Sequence, residues 1–534
     1  MGGDRQFRLE REAARLLAAG VAGGVFPGAS AAVAWWEDGS SRLAVASAGR
    51  IAVDGLPVGA CTLFDLASLT KPIVATTALR LVAAGRVALD MRVETWIPDV
   101  RGTTGGVATL ESLLAHRSGL AAWGGLYLDV PHEIGTTAAR RWLVAEAARR
   151  ADDGPAGRCV YSDLGYILAG ELLARATDTS LERLVEAEVT GPLGVSDELG
   201  YLAARPVAER SAMLGRIAAT ERCDWRGRLV HAEVHDENCA AMGGIAGHAG
   251  IFGTARAVAT FGRAWLDVLA GRSSFLPIEL ARAALPPPAA DRFGLGWDGK
   301  RMQQSAAGDR IASSAFGHLG FTGTSIWCDP ERDVVIVLLT NRIHPSRANE
   351  KIRGFRPVFH DRLVAAFEER AAIRSTAPQN AGGSRARSRP VRVPVTLGGL
   401  RPSTLPLRPG SSRPASVPSA APTSGARPVA SAKRTRSSPD KDERDGASRR
   451  ARRSSEGSRR RRDTARRAER ARGEMALAAR DKGRGRRSRR ADGKSARAAA
   501  TRAAMASKRR GATRTHVRRR TQRRSARKRS QRRS

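Results

Sequence analysis

The stretch Phe64-Asp65-Leu66-Ala67-Ser68-Leu69-Thr70-Lys71-Pro72 decides the fold and the chemistry that the sequence predicts. Ser68 and Lys71 lie three residues apart at the expected start of a helix, so their side chains share one face. A serine hydroxyl needs a neighbouring base to act as a nucleophile. A lysine amine can take the serine proton where burial or nearby cations lower the amine pKa. Taken alone, the tetrapeptide also fits an N-capping serine followed by a surface lysine.

The charge of the chain is distributed very unevenly. The 534 residues carry a net charge of +39, which suggests a partner that is a polyanion. Residues 1–374, however, hold 42 Lys and Arg and 42 Asp and Glu, so the whole excess lies in residues 375–534. All Trp, Tyr and Phe residues also precede residue 375. We therefore predict a neutral folded domain over 1–374 and a disordered Arg/Ser/Ala/Pro-rich basic tail over 375–534.

The cysteines and the N-terminus indicate the cellular setting that we expect. Five scattered cysteines without C-x-x-C spacing favour reduced core thiols over a disulfide framework or a zinc site. The N-terminal residues lack the apolar run of a signal peptide, and no stretch has the length and hydrophobicity of a transmembrane helix. We expect a cytoplasmic protein with no cofactor.

The pattern of apolar residues predicts an α+β domain. Strands over Ala31–Trp36 and Leu43–Ala48 form a hairpin, and further strands follow at Phe316–Cys328 and Val334–Thr340. The chain between about 88 and 300 is mostly helical. We therefore expect an antiparallel sheet built from both ends of the domain, flanked by helices, with a mostly helical subdomain. Predicted helices lie at 6–20, from Ser68 to about Ala84, and at Thr136–Arg150, Leu164–Ala176, Ser180–Val189, Ala257–Ala270 and Val358–Ala371.

Two further stretches carry chemistry. In Tyr161-Ser162-Asp163, the tyrosine is a candidate general base or proton relay beside Lys71; the alternative is a buried tyrosine followed by a capping aspartate. In the stretch from Gly317 to Ser325, small residues would let a substrate lie along a strand edge, and a backbone N–H could complete an oxyanion hole. The alternative here is a strand softened by its glycines.

A third stretch raises the question of a metal. It contains His235, Asp236 and His248 with a glycine-rich run between them. Their spacing matches neither a helical nor a knuckle pattern, so we do not expect a metal site. The glycines also lack the strand–loop–helix context of a phosphate-binding loop.

Taken together, these motifs resemble those of the serine β-lactamase and penicillin-binding-protein superfamily. The residues that carry the resemblance are Ser68-x-x-Lys71, Tyr161-Ser-Asp163 and His318-x-Gly320, in that order. Supporting stretches are Leu113–Leu120, Gly243–Phe252 and Leu339–Arg342. The resemblance covers roughly residues 8–372 and is to the class C-like branch, which includes esterases and proteins similar to D-Ala-D-Ala carboxypeptidases.

The resemblance implies a role for each motif residue. Ser68 would be acylated, and Lys71 and Tyr161 would exchange its proton as a coupled pair. The backbone N–H groups of Ser68 and Phe321 would form the oxyanion hole. Asp163, His318 and Gly320 would line the substrate site.

Two departures from the family pattern bear on the substrate. Asp163 replaces a frequent asparagine, and an ionised aspartate cannot donate to a substrate amide. His318 replaces the lysine that penicillin-recognising members use to bind a carboxylate. Both changes favour a carboxylesterase or small amidase. Arg342 is a candidate for the lost positive charge; the alternative is a solvated arginine after a strand.

The sequence leaves several functions open. The leading one is a serine hydrolase acting on a small ester or amide. The alternatives are a D-Ala-D-Ala carboxypeptidase or β-lactamase-type penicillin-binding enzyme, and a non-catalytic binding module. The tail could bind nucleic acid or another polyanion without sequence choice, be an inert extension, or result from a shifted reading frame.

Overall fold

The part of the chain that the structure describes comprises residues 2–154, 158–287 and 293–369 of a computed structural model. Its mixture of helices and antiparallel strands confirms the predicted α+β class. The tail predicted over 375–534 lies outside the described residues.

The helices and strands alternate irregularly along the chain. The strands are β1 (Gly28–Glu37), β2 (Ser40–Gly49), β3 (Phe64–Asp65), β4 (Leu199–Tyr201), β5 (Arg222–Cys223), β6 (Arg228–Leu229), β7 (Ile251–Gly253), β8 (Asp298–Gly299), β9 (Phe316–Leu319), β10 (Ser325–Asp329) and β11 (Val334–Thr340). The helices are α1 (Gly2–Ala22), α2 (Thr70–Ala83), α3 (Val93–Trp96), α4 (Leu110–Leu114), α5 (Thr137–Arg149), α6 (Asp163–Thr177), α7 (Leu181–Val185), α8 (Val207–Ala212), α9 (Glu237–Ala241), α10 (Ala255–Leu269), α11 (Ile278–Ala284) and α12 (Ile352–Glu368).

A six-stranded antiparallel sheet forms the frame of the domain. Its strand order is β2-β1-β11-β10-β9-β8. β1 pairs with β11, so that Ala29 lies opposite Thr340 and Trp35 opposite Val334. The two ends of the domain therefore meet inside one sheet, as the sequence predicts. Two small sheets accompany it, one in the order β3-β7-β4 and one formed by β5 and β6.

Helices cover both faces of this sheet, which explains the unbroken apolar run of β11. Side chains alternate across a strand. Ile336 packs with residues of α1 and α12 on one face, and Val335 packs with residues of α10 on the other. Gly262 of α10 allows a close approach, because a Cβ atom there would lie 2.7 Å from a methyl group of Val335. The α10 face continues into the mostly helical region that contains α2 and α6.

Most predicted elements are present, and the differences have local causes. The stretch Phe316–Cys328 was expected to be one strand, but it forms β9 and β10 with a tight turn over Gly320–Thr324. Gly323 has a φ of 104°, which a residue with a side chain rarely adopts. The helix predicted over Ser180–Val189 ends early and continues as a π-helical turn over Glu186–Thr190. The last helix begins before its predicted start and contains Pro357.

Within the described residues, no helix is both long enough and apolar enough to span a bilayer. The five cysteines are all free thiols; three are buried, Cys159 is half-buried and Cys61 is exposed. The expectation of core thiols is therefore wrong for Cys61.

Candidate active site

Ser68 lies in a tight turn between β3 and α2. This turn is a single turn of 3₁₀ helix over Ala67–Leu69. Ala67 has a φ of 48°, in the left-handed region that is strained for a residue with a side chain. The Asp65 carboxylate holds the turn by accepting hydrogen bonds from the N–H groups of Ala67 at 2.8 Å and His235 at 2.7 Å. The turn leaves Ser68 half-exposed just before α2.

Lys71 is fully buried, and its amine contacts several oxygen atoms. Lys71 Nζ donates hydrogen bonds to Ser68 Oγ at 2.9 Å and to the His248 carbonyl at 3.4 Å. Its third partner is Asp163 Oδ1, at 2.6 Å. The structure therefore brings Ser68 and Lys71 together.

The charge of Lys71 differs from what a lysine base requires. Burial works to lower the pKa of the amine, but Asp163 and Tyr161 outweigh it, and the pKa is raised above its usual 10.5. The lowered pKa considered from the sequence is thus not found. In the free protein at neutral pH, Lys71 is an ammonium group.

Tyr161 faces Lys71 from the loop before α6. Lys71 Nζ lies 4.9 Å from the centre of the Tyr161 ring, and the Tyr161 hydroxyl interacts with both Lys71 and Ser68. Burial raises the pKa of Tyr161 above 10.0, and the Lys71 ammonium offsets this only in part. Because each group shifts the pKa of the other, Lys71 and Tyr161 titrate as a pair.

Asp163 is the first residue of α6, but it does not cap the helix. Ser162 is the N-cap, and its side chain accepts a hydrogen bond from the N–H of Gly165 at 3.0 Å. The reading of Asp163 as a capping residue is therefore wrong. Because Ser162 caps the helix, the Asp163 carboxylate remains available for the ion pair with Lys71.

The turn between β9 and β10 packs directly onto the chain that leads to Ser68. Thr322 Oγ1 donates to the Asp65 carbonyl at 2.8 Å, and Thr324 Oγ1 donates to the Leu66 carbonyl at 3.0 Å. A Cβ atom at Gly320 would lie 1.9 Å from Thr324 Oγ1 and 2.6 Å from the Leu66 carbonyl oxygen. Glycine is therefore required at position 320 for this contact.

Two backbone N–H groups at this contact have no hydrogen-bond acceptor within the described chain. They belong to Ser68 and Phe321, the pair expected to form the oxyanion hole. Phe321 itself is 48% exposed. Free donors beside a nucleophile can stabilise a developing oxyanion.

Two buried histidines pack around Tyr161. The His116 ring centre lies 4.6 Å, and the His318 ring centre 5.9 Å, from that of Tyr161. Burial, together with the Lys71 ammonium, lowers the pKa of His318 to about 3 and that of His116 well below 6.5, so both rings are neutral at pH 7. In the sequence analysis, His116 lies within the supporting stretch Leu113–Leu120, and no role is predicted for it. No local pattern in that stretch indicates that His116 packs among aromatic rings.

The hydrogen bonds of the two rings fix their tautomers. His116 Nδ1 accepts from the Ser162 N–H at 3.0 Å, so its Nε2 carries the proton. His318 Nδ1 lies 2.9 Å from the Leu319 carbonyl and must donate to it, so its Nε2 is an acceptor. Neither Nε2 atom has a partner within the described chain, and both are buried.

Arg342 does not project into solvent. It is 8% exposed, and its guanidinium donates to the carbonyl groups of Phe321, Arg347 and Asn349. The alternative of a solvated arginine is therefore wrong. Arg342 holds the Phe321 segment by its carbonyl group; its use as a substrate-binding charge stays a prediction.

The two histidines considered for a metal pair with different carboxylates, and only one of these, Asp236, was itself considered. His235 Nε2 contacts Glu221 at 2.8 Å, and His248 Nε2 contacts Asp236 at 2.8 Å. Arg347 pairs with both Glu221 and Glu237. Among the described residues, no group of three or more His, Cys, Asp or Glu side chains is arranged to hold a metal ion.

The fold and the serine–lysine–tyrosine cluster define a class of serine hydrolase, and the comparisons identify the family. The β-lactamase family model matches residues 13–356. The chain belongs to the β-lactamase family, within the serine β-lactamase and penicillin-binding-protein superfamily. This confirms the resemblance stated from the motifs.

Individual relatives carry several different names. An N-acetylmuramyl-L-alanine amidase of Bacillus subtilis strain 168 is 30% identical over 313 residues, which cover 53% of this chain and 68% of the relative. A Salmonella agona strain SL483 protein, provisionally named a D-alanyl-D-alanine carboxypeptidase, is 27% identical over 54% of this chain and 72% of its own. The solved structure of EstCE1, a hydrolase with promiscuous acyltransferase activity, shares the fold, with a TM-score of 0.52 and 18% identity over 67% of this chain and 99% of its own.

Proposed function

We propose that the protein cleaves an ester or amide bond through an acyl-enzyme on Ser68. The observation that carries this proposal is the 2.9 Å hydrogen bond between Lys71 Nζ and Ser68 Oγ, at a half-exposed serine. The Tyr161 hydroxyl interacts with the same two groups. A nucleophile within hydrogen-bonding reach of its proton acceptor is the requirement for this chemistry.

The reaction follows from the protonation states of the site. The Lys71–Tyr161 pair first loses one proton to solvent, because both groups hold their protons in the resting protein. Ser68 Oγ then attacks the substrate carbonyl, and its proton passes to the pair and on to the leaving alcohol or amine. The N–H groups of Ser68 and Phe321 bind the oxyanion. Water repeats these steps on the acyl-enzyme and releases the acid.

The substrate that fits best is a small ester or amide without a carboxylate beside His318. His318 is neutral at pH 7, so it offers a substrate carboxylate no positive charge. Asp163 is occupied by Lys71 and offers a substrate no hydrogen-bond donor. The leading proposal is therefore a carboxylesterase or a small amidase, and the name of the Bacillus relative supports amide cleavage.

A D-Ala-D-Ala carboxypeptidase or β-lactamase-type enzyme is the second candidate. The names of the Salmonella relatives favour it. It requires a positive charge for the substrate carboxylate. Arg342 could provide that charge only if it released some of its carbonyl partners.

The experiment is intact-protein mass spectrometry after exposure to a fluorophosphonate or, in parallel, to a penicillin. An adduct from the fluorophosphonate alone, lost in Ser68→Ala and retained in the exposed control Ser211→Ala, supports the esterase or amidase. Adducts from both reagents favour the second candidate. No adduct from either contradicts the hydrolase and leaves a non-catalytic binding module.

We also propose that the tail binds nucleic acid or another polyanion. The supporting observation is that the entire net charge of +39 lies in residues 375–534, which contain no aromatic residue to stack on bases. Binding should weaken steeply with salt and show little sequence preference. A salt titration of DNA binding by the full chain and by residues 1–374 tests this; equal binding by both proteins would contradict it.

A further inference from the structure

Asp163 has a structural role toward Lys71 that is separate from substrate contact. Its one ion-pair partner among the described residues is the fully buried Lys71 amine, 2.6 Å away. We propose that Asp163 is the positioning residue that holds Lys71 as an ammonium against Ser68 and thereby sets the pH at which Ser68 becomes reactive. This inference rests on the proposed function.

The main chain fixes the position of the Asp163 carboxylate. The Asp163 N–H donates to the Ala122 carbonyl at 2.8 Å, and Ser162 anchors the start of α6 as its cap. The N-terminus of a helix also favours a negative charge. The Asp163 carboxylate is therefore fixed at the first turn of α6, beside Lys71.

The other groups around Lys71 do not replace this charge. Tyr161 is a neutral phenol, and the Tyr166 ring lies 5.6 Å from Lys71 Nζ. His116, after α4, and His318, on β9, are neutral. The loop before β7 contributes only the His248 carbonyl, at 3.4 Å. Of the described groups that face Lys71, Asp163 is thus the one with a negative charge.

Removal of this charge should release the Lys71 proton at a lower pH. An opposite charge at ion-pair distance commonly shifts a pKa by about 1 to 3 units. In Asp163→Asn, only Tyr161 remains to oppose the lowering of the Lys71 pKa by burial. The rate at which Ser68 reacts should therefore begin to rise at a pH lower by about one unit or more than in the unmodified protein.

The experiment measures the rate of fluorophosphonate labelling of Ser68 from about pH 6 to about pH 11, which isolates attack by the serine. The rising limb is the pH range over which the labelling rate increases. Asp163→Asn should displace this rising limb to lower pH, and Asp163→Glu, which restores the charge, should return it toward the original position. Asp99→Asn removes a carboxylate paired with Arg141 at the surface and should leave the limb unmoved.

The outcomes separate this inference from the proposed function. A limb that stays in place in Asp163→Asn, whatever happens to the rate, overturns the inference, because a purely structural aspartate would alter rate and stability alone. If Asp163→Asn does not fold, Asp163→Ser removes the same charge and decides the question. Absence of Ser68 labelling in the unmodified protein at every pH contradicts the proposed function instead.

A second inference comes from Arg356, a buried residue of α12. Arg356 Nη2 donates hydrogen bonds to the Gly320 and Thr324 carbonyl groups, each at 2.8 Å. Burial and the nearby Arg342 lower its pKa. A buried cation is costly unless it is well hydrogen-bonded. Its two bonds go to the two ends of the turn that contains Phe321.

The Gly320 carbonyl belongs to the same peptide unit as the Phe321 N–H. A trans peptide is planar, so its carbonyl and its N–H point in opposite directions. By binding the Gly320 carbonyl on the opposite side of the peptide unit, Arg356 therefore fixes the direction of the Phe321 N–H. A cation on the carbonyl oxygen also makes that N–H a stronger hydrogen-bond donor. We infer that Arg356 is a positioning residue for the oxyanion hole, an inference that again rests on the proposed function.

The test compares the binding of the substrate in its ground state with the binding of a tetrahedral adduct on Ser68. Arg356→Met should lower kcat and the affinity for an arylboronic acid, which forms a tetrahedral adduct on Ser68, by about 10-fold, with KM nearly unchanged. Arg356→Lys should lose less. Arg332→Met removes an arginine paired with Asp329 and Glu368. This control should lower the stability of the protein but leave kcat and the boronate affinity nearly unchanged.

An increase in KM as large as the decrease in kcat, or an unchanged affinity for the boronic acid, would overturn the role of Arg356. If Arg356→Met does not fold, the kcat and boronate affinity of Arg356→Lys decide the question. If the unmodified protein binds no boronate and hydrolyses no ester, the proposed function fails first.

Discussion

Two buried charge clusters lie near Phe321, and they differ in how completely their charges are paired. The reactive cluster consists of Ser68, Lys71, Tyr161 and Asp163. The closed cluster consists of Glu221, His235, Glu237 and Arg347. In the closed cluster, Arg347 pairs with both glutamates, and Glu221 also contacts His235. In the reactive cluster, the single cation contacts one carboxylate and the hydroxyl groups of Ser68 and Tyr161.

The difference shows how a fold separates stability from chemistry. The closed cluster contains no nucleophile, and the His235 ring stacks on Phe321 at 5.6 Å. The reactive cluster contains a half-exposed hydroxyl and a pair of groups that share a titration. Loss of the cation should therefore abolish activity in one cluster and lower stability in the other.

The largest expected effect is that of Lys71→Met on activity. The variant removes the partner of Ser68, so kcat/KM for an activated ester should fall by roughly 10³-fold or more. The melting temperature should fall less than in Arg347→Met, because Asp163 is 20% exposed and can be hydrated. Activity within a factor of ten of that of the unmodified protein would contradict the assignment of catalysis to the reactive cluster.

Arg347→Met should show the opposite pattern. Glu221 and Glu237 are each more than nine-tenths buried and would lose their cation, so the free energy of unfolding should fall by about 3 kcal/mol. The kcat of the folded fraction should fall much less than in Lys71→Met. Denaturant unfolding and ester hydrolysis on the same sample check both halves. An activity loss as large as that of Lys71→Met would show that the closed cluster belongs to the site.

Acid should destabilise the closed cluster in the same way. Burial alone would raise the pKa of Glu221, but His235 and Arg347 outweigh it and lower the pKa from 4.5 to about 2. Because the folded-state pKa lies below the unfolded-state value, this stabilisation is complete above about pH 4.5 and is lost as the pH falls toward 2. Solvent screening reduces the loss for this group to about 1 to 2 kcal/mol. In Arg347→Met the same acid transition should be shallower.

Tyr161→Phe tests the reactive cluster without changing its packing. The variant keeps the ring against His116 and removes the hydroxyl, so kcat should fall by about 10²-fold with little change in KM. Tyr166→Phe is the matched control, because its hydroxyl donates to the Leu114 carbonyl at 3.0 Å. That control should lose about 1 kcal/mol of stability and little activity. Equal effects in the two variants would mean that Tyr161 acts only in packing.

The sequence predicted the parts of the site that depend on spacing. Ser68 and Lys71 meet because three residues of helix bring them to one face, and Tyr161 joins them from a motif that the resemblance supplied. The central sheet was predictable because β1 and β11 have strong strand patterns at the two ends of the domain.

The parts that failed depend on neighbours distant in the chain. The pKa of Lys71 is set by Asp163, which lies 92 positions further along the sequence and whose approach no local pattern encodes. The partners of Arg342 are carbonyl groups fixed by the β9–β10 turn and by the loop after β11. Local rules also could not choose between Ser162 and Asp163 as the cap of α6, because both residue types cap helices well.

That last ambiguity gives the smallest predicted effect. Ser162→Ala removes the cap of α6 and should lower the free energy of unfolding by about 1 kcal/mol. The rising limb of Ser68 labelling against pH should stay in place, because Asp163 keeps its charge. Asp163→Asn should show the converse, a displaced limb with no loss of a cap. If Ser162→Ala also moved the limb, the start of α6 would act as one unit, and the charge of Asp163 could not be separated from the backbone that holds it.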